Sequence, residues 1–168
     1  MIVRLVGSEM CIRDRCNHWS QNDYKVTLIS TYTGDTVNHY QVSKNVSLMY
    51  LSESPFFPKN KQLNLLWKLF QLRKFITNLK PDIVISFLTR VNVASALSTI
   101  GTGISLIICE RTWTPFATLN KKLFWLYRMI FMNIHEIIVQ TDKSKLWLSQ
   151  NFPKINTRVI PNPVVYPL

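Results

Sequence analysis

The sequence predicts an α/β protein built on a doubly wound, mostly parallel sheet, and three observations support this class. Apolar runs at residues 83–87 and 104–109 are continuous rather than alternating, which is typical of strands covered on both faces. Helical patterns separate the strands along the chain, as crossover connections between parallel strands require. The 168 residues are 47% hydrophobic and 12% aromatic, which is enough apolar material for a sizeable core.

The elements follow one another as strand and helix in turn. The strands, which are short apolar or β-branched runs between turn residues, are predicted at residues 25–30, 46–51, 83–87, 104–109, 136–140 and 157–160. The helices are predicted at residues 17–22, 62–79, 91–100, 120–133 and 143–150. Lys80-Pro81 ends one helix, glycines 101 and 103 end another, and Thr141 provides a cap. Residues 31–44 and 112–118 are predicted loops.

The first fifteen residues are set apart from the predicted domain. They show neither helical nor strand periodicity, and residues 6–15 resemble a translated sequencing-adapter artefact. We therefore interpret residues 1–15 as a non-native leader, with an ordinary flexible N-terminus as the alternative. The domain is then expected over residues 16–160, with residues 161–168 beginning an interdomain linker. The native protein is expected to start earlier, with a first strand that is missing here.

The charge is strongly and unevenly positive. The formal net charge is +11, and no acidic residue occurs between Glu53 and Asp82 or between Glu110 and Glu136. Such a distribution favours anionic partners, whether nucleic acid, anionic lipid headgroups or phosphorylated substrates. The charge alone does not choose among them.

Several kinds of site are disfavoured. The four glycines form no phosphate-binding loop of the dinucleotide or P-loop type. The three histidines and three cysteines lack metal-ligand spacing, so no metal site is predicted, and no nucleophile elbow is present. Cysteine usage is typical of a reducing, cytoplasmic setting. No apolar run reaches the roughly 20 residues that span a bilayer.

The best candidates for chemistry lie where two predicted strands end. Ligands of open parallel sheets bind at the carboxyl ends of strands, which is where Ser86 and the Glu110-Arg111 pair fall. Glu110 can orient a sugar hydroxyl and Arg111 can clamp a phosphate, but a structural ion pair tying the strand to the following loop is equally consistent. Ser86 can simply end its strand. Asn92 can cap the next helix, whose N-terminus would favour anions.

Two helices combine apolar, aromatic and basic residues. In the helix at residues 62–79 the apolar side chains occupy nearly all sides, with lysine and arginine between them. The helix at residues 120–133 places Trp125 beside Arg128. Such helices suit the surface of an anionic membrane. Burial between neighbouring elements, with snorkelling basic side chains, is the alternative.

Taken in order, these motifs resemble the N-terminal domain of family 4 glycosyltransferases. The resemblance covers roughly residues 19–163 and implies a Rossmann-like domain that is one half of a GT-B fold. The motifs that carry it are the strand at residues 25–29, Lys80-Pro81-Asp82 with residues 83–88 and Asn92, Glu110-Arg111, residues 137–141, and residues 159–164.

The resemblance implies a function for the parent protein. Such enzymes transfer a sugar from a nucleotide-sugar donor with retention, usually without a metal or other cofactor, to polysaccharide or lipid-linked glycan acceptors. Their N-terminal domain holds the acceptor, so Ser86, Asn92, Glu110 and Arg111 would line the acceptor side and Asn162 would stand at the hinge. The family's glycine-rich loop and its donor domain have no counterpart here, so the fragment alone is expected to be inactive.

The expected location of the parent is the cytoplasm, with peripheral contact to the inner face of an anionic plasma membrane. A different class remains as the alternative: a non-catalytic, basic α/β module that binds nucleic acid. That alternative depends on the charge alone, because no nucleic-acid-binding motif is found, and nucleic acid is therefore the less expected partner.

Overall fold

The structure is a computed structural model, and it divides into two compact units, Met1–Pro81 and Asp82–Leu168. The residues that the structure describes are 2–3, 9–30, 42–51, 61–111, 121–132 and 134–161.

The first unit contains three parallel strands and two helices. Its elements are β1 (Ile2–Val3), α1 (Glu9–Gln21), β2 (Thr27–Ser30), β3 (Ser47–Tyr50) and α2 (Lys61–Leu79). The strand order is β3-β2-β1, with both pairings parallel. On α2, Leu72 and Ile76 are buried four residues apart, which places both on the inward face of the helix.

Residues 1–15, interpreted from the sequence as a non-native leader, include a strand and the start of a helix. Strand β1 pairs with β2 in parallel, with Ile2 opposite Ile29, and α1 begins at Glu9. Ile12 and Cys16 are 1% and 0% exposed, so the helix is anchored in the core of its unit. Two buried residues at a spacing of four define an inward face, but the charged residues around them hide that period in the sequence.

The second unit alternates strand and helix without interruption. Its elements are β4 (Ile83–Phe87), α3 (Thr89–Thr99), β5 (Ser105–Cys109), α4 (Lys121–Phe131), β6 (Glu136–Val139), α5 (Asp142–Asn151) and β7 (Asn156–Val159). The strands lie side by side in chain order, and all three pairings are parallel. The α/β class with a parallel sheet is confirmed.

Local sequence explains where these elements begin and end. Leu106 and Ile108 of β5 are almost fully buried, as the continuous apolar run predicts for a central strand. Gly101 and Gly103 follow α3 with positive φ angles of 70° and 72°, the left-handed conformation that glycine adopts most easily after a helix. Thr141 caps α5 as predicted, because its Oγ1 accepts a hydrogen bond from the Ser144 N–H.

The remaining sequence predictions agree with these elements to within a few residues at their ends, except that the helix tail predicted at 17–22 ends a helix that begins at Glu9. Three predicted segments lie wholly or mostly outside the described residues: the loops at 31–44 and 112–118, and the linker at 161–168.

Candidate functional site

Strands β4 and β5 bring their carboxyl ends together, and polar side chains collect there. The two strands pair in parallel register with Phe87 opposite Cys109, so Ser86 and Glu110 reach the same end of the sheet. Between β4 and α3 the chain turns through Leu88, whose φ of 73° is unusual for a residue with a side chain. Helix α3 therefore begins at Thr89, directly after the strand.

Four side chains form one buried hydrogen-bonded cluster, which we call the Glu110 cluster: Ser86, Thr89, Asn92 and Glu110. Ser86 Oγ donates to Asn92 Oδ1 at 2.8 Å, and Asn92 Nδ2 donates to Glu110 Oε1 at 2.8 Å. Asn92 Nδ2 also lies 3.3 Å from the Cys109 carbonyl. Thr89 Oγ1 donates to Glu110 Oε2 at 3.1 Å, so both carboxylate oxygens are bound.

Asn92 does not cap α3, and that interpretation is wrong. The residue lies in the first turn of the helix, where its main-chain N–H donates to the Leu88 carbonyl at 2.8 Å. Leu88 occupies the cap position, and its aliphatic side chain offers no oxygen to the helix. The left-handed turn at Leu88 starts the helix early and aims the Asn92 side chain at Glu110.

Glu110 is held in a place where water hardly reaches. Glu110 is 3% exposed, and Ser86 and Asn92 are both 0% exposed. Burial raises the pKa of the Glu110 carboxyl above its ordinary value, while the hydrogen bonds from Asn92 and Thr89 oppose that rise. Its contacts with Asn92 and Thr89 place the carboxyl group among neutral hydrogen-bond donors. The 112–118 loop of the alternative ion-pair interpretation lies outside the described residues.

The structure brings together three of the predicted site residues: Ser86, Asn92 and Glu110. Arg111 follows Glu110 in the chain and is partly exposed, while Asn162 lies outside the described residues. Thr89 was missed by the sequence analysis. A signal for it exists, because Thr89 and Asn92 stand three residues apart and so share one face of a helix, but only if the helix starts at Thr89.

Metal-binding clusters and membrane-spanning helices are both absent from the described residues. No group of three or more His, Cys, Asp or Glu side chains is placed to hold a metal ion. In the same part of the chain, no helix combines the length and apolar character needed to cross a bilayer.

The parallel sheet with its crossover helices defines the class: a Rossmann-like α/β protein, with polar side chains gathered at the carboxyl end of two strands. The family model for Glycosyltransferase Family 4 matches residues 6–165. The chain therefore belongs to this family, and the predicted resemblance is confirmed. The match includes residues 6–15.

A solved structure shows the same fold. Anabaena HepE, crystallised in complex with UDP and glucose, is similar to this chain with a TM-score of 0.65 at 12% sequence identity. The similarity covers 97% of this chain and 44% of HepE, so the chain spans less than half the length of that protein. No curated protein sequence matches the chain.

Proposed function

We propose that the chain is the acceptor-side domain of a retaining glycosyltransferase. The single observation that carries this proposal is the Glu110 cluster, a preorganised group of polar side chains at the carboxyl end of the sheet in a family 4 domain. Ser86, Asn92, Glu110 and Arg111 are the proposed acceptor-side residues. The acceptor is a polysaccharide or a lipid-linked glycan, and Asn162 lies at a hinge in the linker that follows residue 160.

The donor in this proposal is a nucleotide sugar, bound mainly by a second domain that these 168 residues do not contain. HepE binds UDP and glucose, and its chain is more than twice as long as the matched region. The nucleotide sugar serves as a substrate, and no cofactor is required. On this proposal the 168 residues alone do not transfer sugar.

Within the proposed site the residues have separate tasks. Arg111, which follows Glu110 in the chain and is partly exposed as a residue, suits the phosphate of a lipid diphosphate because its guanidinium offers planar, charged donors. Glu110 is too deeply buried to serve as a broad contact surface, so its task is to fix the side chains around it. The Glu110 cluster is rigid because each of its side chains is hydrogen-bonded to another member.

The enzyme assay compares the chain with the longest reading frame that contains it. Both proteins are incubated with radiolabelled UDP-glucose and other nucleotide sugars, using a bacterial membrane lipid extract as acceptor. We expect the longer protein to label the extract and the 168-residue chain to label nothing. The product's anomeric configuration, read by proton NMR, should match that of the donor. If the short chain labels the extract, the assignment as an inactive acceptor-side domain is contradicted. If the longer protein labels nothing, the proposed glycosyltransferase activity is contradicted.

Contact with an anionic membrane is part of the same proposal, and α4 supports it. Trp125, Met129 and Met132 are 61%, 61% and 68% exposed. Their spacing of four and three residues places them on one side of the helix or of its last turn. Arg128 lies over the Trp125 ring at 5.3 Å from its centroid, which joins a cation to the aromatic group. We expect peripheral binding at the inner face of the plasma membrane.

Vesicle binding tests this contact directly. The chain should co-sediment with phosphatidylglycerol vesicles and bind phosphatidylcholine vesicles at least about tenfold more weakly, because the basic charge favours anionic headgroups. Trp125→Ala combined with Met129→Ala should weaken binding by about tenfold, since both side chains lose apolar contact. Leu146→Ala on α5 is the matched control, because Leu146 is also 61% exposed. Equal loss in the control would exclude α4 as the contact surface.

A further inference from the structure

We propose that the Thr89 hydroxyl accepts a hydrogen bond from a sugar hydroxyl of the acceptor, with Glu110 fixing the direction of that bond. This inference rests on the proposed function, and it names the contact by which the acceptor side recognises its ligand. Thr89 is thereby a binding residue, and Glu110 is a positioning residue that acts through it.

The first step in the argument is the direction of the hydrogen bonds. Asn92 donates to Glu110 Oε1, while Thr89 donates its one hydroxyl proton to Oε2. A hydroxyl that has given its proton away keeps two lone pairs and can only accept further bonds. The carboxylate therefore turns Thr89 into a fixed acceptor.

The second step is location. Ser86, Asn92 and Glu110 are buried, with exposures between 0% and 3%, whereas Thr89 is partly exposed. Thr89 is the member of the Glu110 cluster through which the cluster can meet a ligand. It stands at the first position of α3, at the carboxyl end of β4, where parallel sheets bind their ligands.

The third step is ligand chemistry. A hydroxyl polarised by a carboxylate is a stronger acceptor than one bound to water, because hydrogen bonds in a chain strengthen one another. Such an acceptor selects ligands that present O–H donors. Sugar hydroxyls present them in number, whereas a phosphate presents mainly acceptor oxygens, which a Thr89 hydroxyl that has already donated its proton cannot satisfy. The ligand class is therefore a neutral sugar rather than the phosphate portion of the acceptor.

The experiment uses the 168-residue chain, labelled with nitrogen-15, and follows amide shifts by NMR. The probes are methyl α-D-glucopyranoside, methyl α-D-galactopyranoside and methyl α-D-mannopyranoside, with inorganic phosphate as the anionic comparison. At least one glycoside should shift the amides of Thr89 and Arg111. Thr89→Val keeps the shape of the side chain and removes its hydroxyl. This variant should bind that glycoside about tenfold more weakly and bind phosphate as the wild type does. Thr89→Ser should stay within about twofold of the wild type.

Two controls separate a binding role from a structural one. Thr77→Val removes a hydroxyl that donates to its own helix at the Arg73 carbonyl, so glycoside binding should not change. Glu110→Gln decides the matter if Thr89→Val does not fold. A glutamine side chain can direct an N–H at the Thr89 oxygen and occupy the lone pair that the sugar needs. We expect about threefold weaker glycoside binding in that variant.

The outcomes distinguish the two proposals. If the wild-type chain binds none of the glycosides, both the acceptor-side assignment and the role of Thr89 are contradicted. If the wild type binds a glycoside and Thr89→Val binds it equally well, only the role of Thr89 is overturned. Unchanged binding in Glu110→Gln, where Thr89→Val is unfolded, overturns it as well.

Discussion

Two buried carboxylates lie at opposite ends of the four-stranded sheet of the second unit. Glu110 follows β5 at the carboxyl end, and Glu136 opens β6 at the amino end, with exposures of 3% and 7%. Glu136 Oε1 accepts from Arg158 Nε at 2.9 Å and from Asn156 Nδ2 at 3.1 Å. Glu110 instead accepts from the neutral side chains of Asn92 and Thr89.

The two carboxyl groups differ in what compensates their burial: Glu136 has a cationic partner, whereas the hydrogen-bond partners described for Glu110 are neutral. Arg158 neutralises Glu136 across the β6–β7 pair, and its side chain is 64% exposed, so water can replace it at modest cost. The carboxyl of Glu110 keeps a raised pKa because burial outweighs the two neutral hydrogen bonds. An incompletely compensated carboxylate is expensive to bury, and such groups occur where a site needs them.

The largest expected effect distinguishes the two asparagines. Asn92→Ala removes the amide bound to Glu110 and leaves a buried carboxylate one donor short, so we expect a loss of about 3 kcal/mol in unfolding free energy. Asn156→Ala, at the exposed partner of Glu136, should cost about 0.5 kcal/mol because Arg158 remains. Urea unfolding followed by circular dichroism measures both. Equal losses would remove the contrast between the two ends of the sheet.

The next effect concerns pH. Because the pKa of Glu110 is raised in the folded chain, the folded state keeps the Glu110 proton to a higher pH than the unfolded state does. Stability should therefore fall as pH rises from the ordinary value of 4.5 through the raised pKa, by at most about 1.4 kcal/mol per pH unit.

Glu110→Gln should abolish this pH-dependent loss. Comparing its urea unfolding with that of the wild type between pH 4 and pH 8 isolates the contribution, because every other group is shared. A constant difference across that range would show that Glu110 has an ordinary pKa.

The last prediction concerns the ion pair at the amino end of the sheet. Arg158→Met should cost about 1 kcal/mol, since one partner of the pair is mostly exposed. Raising the ionic strength to about 1 M should shrink that cost, because screening weakens the pair in the wild type. The cost of Asn92→Ala should stay the same at both ionic strengths. If the cost of Asn92→Ala changed with ionic strength while that of Arg158→Met did not, the interpretation of the two carboxylates would be reversed.

Sequence patterns predicted the sheet well because continuous apolar runs such as residues 83–87 and 104–109 are a strong signal. Ser86 and Glu110 were singled out because they fall at the ends of predicted strands, and Asn92 was singled out as a candidate cap and by the family resemblance. Thr89 was missed because its position depends on the left-handed turn at Leu88, and no sequence rule places a leucine there. Only the end of the helix at Glu9–Gln21 was predicted, at residues 17–22, because two buried residues are too few to reveal a period in its first part.

The hydrogen bonds of the Glu110 cluster span 6, 18 and 21 residues of chain. All of them close within one strand–helix–strand segment, from Ile83 to Glu110, and none involves the first unit. Closing such short loops costs little chain entropy, so the cluster can assemble early, as soon as β4, α3 and β5 dock. Folding of the Glu110 cluster is in this sense a local event.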